Sequence, residues 1–152
     1  MKPLVILGIG NLLLTDDGVG VHAARALERD PPDGAVVCEV GTAVFDALAV
    51  LEKAGSVIAI DAIDAGEAPG TIVQFDLEDD RATAPVSLHA FDLPALVHSI
   101  ASARRPRVTV IGIQPAVVEL GLDLSSLILA RLPDLVRAVR ELAIGRLSSI
   151  SS

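Results

Sequence analysis

Two carboxylate clusters and one imidazole carry most of the chemistry this chain could offer. The first cluster closes a glycine-rich stretch, Gly8-Ile9-Gly10-Asn11-Leu12-Leu13-Leu14-Thr15-Asp16-Asp17-Gly18-Val19-Gly20. The second is Asp61-Ala62-Ile63-Asp64, and the imidazole is His89 in Ser87-Leu88-His89-Ala90-Phe91. Carboxylate oxygens joined by one imidazole nitrogen suit a borderline divalent ion that keeps open coordination positions, and they suit general acid–base work on water. Other hydrolytic chemistries find no footing. There is no G-x-S-x-G elbow, no H-E-x-x-H helix and no cysteine pair, and the lone Cys38 falls mid-strand as a small buried hydrophobe.

Each of these residues also has a plain structural reading. Asp16 and Asp17 stand where a first helix begins, and carboxylates there accept orphan N–H groups for about 0.3–1 kcal/mol each. One acid suffices for that task, and Asp61 places another at the end of an apolar strand on the same sheet edge. His22 and His98 fall on helices and read as surface residues. Taken alone, a loop histidine such as His89 reads as structural before it reads as a ligand. A dinucleotide site is the obvious rival, because Gly8-Ile9-Gly10 follows a strand and Glu39 ends the next. Its fingerprint requires glycine at position 13, where Leu13 stands, and Asp16 with Asp17 would repel a pyrophosphate at that helix start.

The elements that must position these groups follow from hydrophobic periodicity. Five apolar runs, Leu4 to Leu7, Ala35 to Val40, Val57 to Ile60, Thr71 to Phe75 and Val108 to Ile113, read as strands. Between them lie helical faces: Val19, Ala23, Ala26 and Leu27; Val44, Ala47, Leu48 and Leu51; and Leu93, Leu96, Val97 and Ile100 behind Pro94. A fourth helix is expected from Pro133 to about Leu142, with Gly145 ending it. Near-continuous apolar strands imply helices on both sheet faces, hence a three-layer α/β/α sandwich around a five-stranded mixed sheet. Only Ala62 to Gly70 separate the third and fourth runs, too few for a parallel crossover, so the fourth strand should be antiparallel. In such a sheet ligands bind beyond the carboxyl ends of the parallel strands, where both acid clusters fall.

Composition sets the outer bounds. The chain has 152 residues, 51% of them hydrophobic, consistent with one domain over 1–147 and a frayed serine-rich tail at 148–152. Twelve Lys plus Arg against 20 Asp plus Glu give a net charge of −8, which disfavours nucleic acid. The opening run is too brief for a signal-peptide core and no stretch has the length of a membrane span, so a cytoplasmic protein is expected.

These residues together resemble the hydrogenase maturation endopeptidases, which trim the C-terminal extension of nickel-iron hydrogenase large subunits. The resemblance rests on the opening motif from Gly8 to Gly20, then Gly41-Thr42, Asp61-Ala62, Pro69-Gly70-Thr71, His89 and Gly112-Ile113-Gln114-Pro115, in order over about the first 115 residues. It implies an endopeptidase of carboxylate type whose nickel-contacting and catalytic triad is Asp17, Asp61 and His89. It also implies that nickel arrives bound to the large-subunit precursor, as part of the substrate, with cadmium or zinc able to take its place in crystals. A monomer is the expected state. The rival class is a non-catalytic maturation chaperone that holds a precursor tail or metal in the same cleft; a small-molecule hydrolase or phosphorylase is disfavoured by the absence of a basic anion cluster.

Overall fold

The computed structural model describes residues 2–77, 87–88 and 92–150. Its first strand, β1 (Leu4–Ile9), is buried along its whole length and lies between β2 (Ala35–Gly41) and β3 (Ser56–Asp64), parallel to both. β3 pairs in parallel with β6 (Arg107–Ile113), and β4 (Ile72–Asp76) closes that side antiparallel to β6, as the short connection requires. The path is β2-β1-β3-β6-β4. A further two-residue strand, β5 (Ser87–Leu88), has no counterpart in the hydrophobic pattern and pairs antiparallel with the end of β3.

Strand parity divides the core in two. Leu4, Ile6, Ile58 and Ile60 meet α1 (Val19–Arg29) and α4 (Ser126–Ile150) through Leu27, Ile128, Leu135 and Val139. Val5, Leu7, Ile9 and Val57 meet α2 (Leu48–Lys53) and α3 (Asp92–His98) through Leu51, Leu93 and Leu96. Alternate side chains of one strand thus serve opposite cores, and each is apolar because neither face sees water. Among the described residues no helix is long and apolar enough to cross a membrane.

Several boundaries differ from the sequence reading, with β1 running on to Ile9 and α3 starting at Asp92, and three of the differences bear on the site and its frame. β3 continues past Ile60 to Asp64, so Asp61 lies within the strand, opposite Gly112, rather than at its end. Polar side chains did not stop it because β6 and β5 continue the pairing. α4 begins at Ser126, not Pro133, and carries that proline inside. An internal proline costs a hydrogen bond, on the order of 3 kcal/mol, but the preceding turns are anchored by fully buried Ile128. Gly145 does not end the helix either, since its φ is not positive; α4 runs on through Ser148 and Ser149 to Ile150, into the segment expected to fray.

Candidate functional site

The acid pair sits on a 3₁₀ turn, Thr15–Gly18, that joins β1 to α1 and packs against β3. Two glycines permit this approach. Gly10 has φ +139°, and a Cβ there would overlap the Asp17 carbonyl oxygen; a Cβ on Gly20 would overlap the carbonyl oxygens of Ile9 and Ile60. Thr15, with φ 49°, is the one non-glycine in left-handed backbone among the described residues. Such a conformation in a β-branched residue costs about 1–3 kcal/mol and needs its surroundings to hold it. Here the Thr15 N–H donates to the Gly121 carbonyl at 2.9 Å and its hydroxyl to the Val117 carbonyl at 2.7 Å.

The two acids have separate fates. Asp16 is fully buried, and its carboxylate accepts the N–H groups of Ala116, Val117 and Ser125 and the Ser125 hydroxyl at 2.8–3.0 Å. It is a clamp for the loop between β6 and α4, with its acceptor capacity committed, and it does not serve as a general base. Asp17 is 1% exposed, accepts the Asn11 N–H on Oδ2 at 3.0 Å, and lines a cleft of about 140 Å³ walled by Gly10, Asn11, Gly41, Thr42 and Val44.

Asp61 is likewise 1% exposed, and its Oδ1 accepts the Ala62 N–H at 2.8 Å. Strand parity puts it on the face of Ala59 and Ile63, the α2/α3 side. The Asp17 cleft opens on that side too, since its walls include Ile9 and Val44 of the same core. The structure therefore brings Asp17 and Asp61 to one face at the carboxyl edge of the sheet. His89 lies outside the described residues. The strand before it is described: Ser87 pairs with Asp64 and Leu88 with Ile63, a register that heads back along β3 toward Asp61. Two buried carboxylates on one face fit an oxygen-rich divalent site in chemistry, although no group of three His, Cys, Asp or Glu gathers among the described residues alone.

Other candidates resolve as follows. Glu39 is ion-paired to Arg25 at 2.8 Å. Cys38 is half-buried, and burial, with the Glu28 carboxylate, pushes its thiol up from the ordinary value, away from nucleophilic thiolate. His98 ends α3 exposed, whereas His22 is not a simple surface residue: its Nε2 is buried with no hydrogen-bond partner among the described residues. Gln114 is a site element that residue types did not single out. Its Oε1 accepts the Ala65 N–H at 2.7 Å and its Nε2 donates to Asp64 at 3.2 Å, which fixes the turn leaving β3. Its place in Gly112-Ile113-Gln114-Pro115 was the available signal.

The profile of the HycI hydrogenase maturation proteases matches residues 21–142. The chain belongs to that family. Among maturation proteases, the hydrogenase 2 maturation protease of Escherichia coli K12 is 30% identical over 123 residues, 76% of this chain and 75% of that protein. The hydrogenase expression/formation protein HupM of Azotobacter chroococcum is 34% identical over 123 residues; the match covers 76% of this chain and 59% of HupM, so the chain spans about six tenths of that relative's length. The solved hydrogenase maturating endopeptidase HybD from E. coli superposes with a TM-score of 0.80 at 28% identity, covering 96% of this chain and 93% of that one. The NiFe hydrogenase maturation protease HybD from Thermococcus kodakarensis gives 0.77 at 30% identity, covering 93% and 99%. The five-strand path with its one antiparallel pair is thus a fold that maturation proteases share.

Proposed function

We propose that the chain is an endopeptidase that removes the C-terminal extension of a nickel-iron hydrogenase large-subunit precursor after nickel insertion. Asp17, Asp61 and His89 would contact the nickel that the precursor carries. The observation that supports this reading is the placement of two buried carboxylates on one face of the sheet edge, with β5 paired antiparallel beside them to Asp64 and Ile63. His89 is the next residue after Leu88 in the chain. Oxygen and imidazole donors suit a borderline divalent ion, and three ligands leave coordination positions for the precursor's own groups.

Substrate-borne nickel supplies a fixed point for the tail and a positive charge near the scissile carbonyl. The chain's own part is positional. The Asn11 N–H holds one Asp17 oxygen, while Asp16 anchors the turn from behind. Asp17 then stands at the cleft as the group to accept a proton from an attacking water. The test is to mix the purified chain with nickel-loaded precursor and follow cleavage by gel shift and by the mass of the released peptide. Stable binding without a released peptide would replace this reading with a tail-holding chaperone.

A further inference from the structure

We propose that the outer edge of β2 receives the precursor's C-terminal extension as an added antiparallel strand, its side chains alternating between clefts on the two faces of the sheet. This rests on the peptidase reading and says where the substrate lies. β2 is the terminal strand of the path, and among the described residues only β1 pairs with it. An open edge is a row of unmet backbone donors and acceptors, which proteins normally blunt with lysine, proline or inward charge. β2 reads Ala35-Val36-Val37-Cys38-Glu39-Val40-Gly41, with no lysine or proline, and its one charge is neutralised by Arg25. Val36 remains 47% exposed on it.

The surroundings of that edge have the form strand addition requires: backbone pairing for affinity and pockets for alternate side chains on opposite faces. On the α1 side a cleft of about 280 Å³ is lined by Leu12, Val21, Glu39 and Thr42. On the α2 side one of about 250 Å³ is lined by Leu7, Val40, Ala43, Asp46 and Val50. The α1-side cleft shares Gly10, Asn11, Gly41 and Thr42 with the smaller cleft that contains Asp17, so a chain lying along β2 leads to the acid. Regular pairing stops there: the register steps from Gly8↔Glu39 to Ile9↔Gly41, a bulge of the kind found beside active sites. Direction follows from bulk. The folded precursor must stand beyond the carboxyl edge with its nickel at Asp17, so the tail past the scissile bond runs back down β2, antiparallel to it. At about 3.3 Å per residue, an edge of this length accommodates roughly six or seven residues of extension.

Amide hydrogen exchange provides the test. The Asp17→Asn variant, checked for folding by circular dichroism, is mixed with nickel-loaded precursor, and separately with the same precursor trimmed of its extension. Exchange at residues 36–41 should slow by at least about tenfold with the intact precursor and stay unchanged with the trimmed one. In otherwise wild-type protein, Ala43→Trp, at an exposed position that fills the α2-side cleft, should raise KM for the precursor about tenfold while kcat stays within about twofold. Wild-type cleavage with no protection of β2 would overturn the strand addition and leave the peptidase reading standing. Failure of the wild-type protein to cleave nickel-loaded precursor would overturn both.

Discussion

Asp16 and Ser125 stand 109 positions apart and are joined by two hydrogen bonds, the Ser125 N–H to Oδ1 and its hydroxyl to Oδ2, both at 2.8 Å. With Ala116 and Val117 on the same carboxylate, the turn before α1 is bolted to the loop that enters α4. Asp16→Ala would leave three backbone N–H groups without their acceptor, for an expected loss on the order of 2–4 kcal/mol. Asp16→Asn, which keeps one acceptor oxygen, should fall between the two. Urea unfolding monitored by circular dichroism measures this, and an alanine variant as stable as the parent would contradict the clamp.

A pH dependence of stability follows from two groups outside the site. Burial, reinforced by Arg25 and opposed by Asp123, holds the His22 imidazole below its ordinary 6.5. The unfolded chain then takes the proton first, so the stability present above 6.5 declines as pH falls from there through the folded value. At Asp76 the Thr109 hydroxyl bond, aided by Arg107 and Arg146 against the effect of burial, holds the carboxyl below 3.8. Its contribution is complete above the unfolded pKa and declines as pH falls through the folded one. Urea midpoints across pH should therefore drop in two stages, with His22→Leu flattening the upper stage and Asp76→Asn the lower. An unchanged upper stage in His22→Leu would assign that stage elsewhere.

Five of the strands were legible in the sequence as near-continuous apolar runs, and the antiparallel β4 because Ala62 to Gly70 cannot span a crossover; their spatial order, β2-β1-β3-β6-β4, was not. The ends of elements were not. β3 reaches Asp64 and α4 starts at Ser126 through partners distant in sequence, β5 and β6 in one case, Asp16 in the other. The separate roles of Asp16 and Asp17 were hidden for the same reason. Adjacent acids look alike until the loop at 116–125 folds onto one of them. His22 was misread as solvated because helical periodicity does not show that its Nε2 is buried.

Cys38 offers a direct check on the chemistry. Since burial, and then Glu28, push its thiol upward, little thiolate is present near neutral pH. Iodoacetamide should therefore alkylate it more slowly at pH 8 than it alkylates free cysteine. Mass spectrometry of timed aliquots reads the rate. Alkylation faster than free cysteine would reopen a thiol mechanism and weaken the case for the carboxylates.

The metal state of the substrate should decide whether cleavage occurs. In the proposed reading Asp17, Asp61 and His89 would form an incomplete donor set, so nickel held by the precursor would be the point through which its tail is oriented, and orientation can supply several kcal/mol of catalytic advantage. Nickel-free precursor should resist cleavage and become a substrate once nickel is inserted. Zinc should not substitute freely, because the precursor's own ligands share in selecting ion and geometry. Asp61→Ala or His89→Ala should abolish processing of the nickel-loaded form while costing only about 0.5–3 kcal/mol of stability. Equal cleavage of both metal states by the wild-type protein would show that the enzyme does not read nickel. Recognition would then rest on the tail itself, beginning at the Gly41-Thr42 end of β2, where the clefts converge on Asp17.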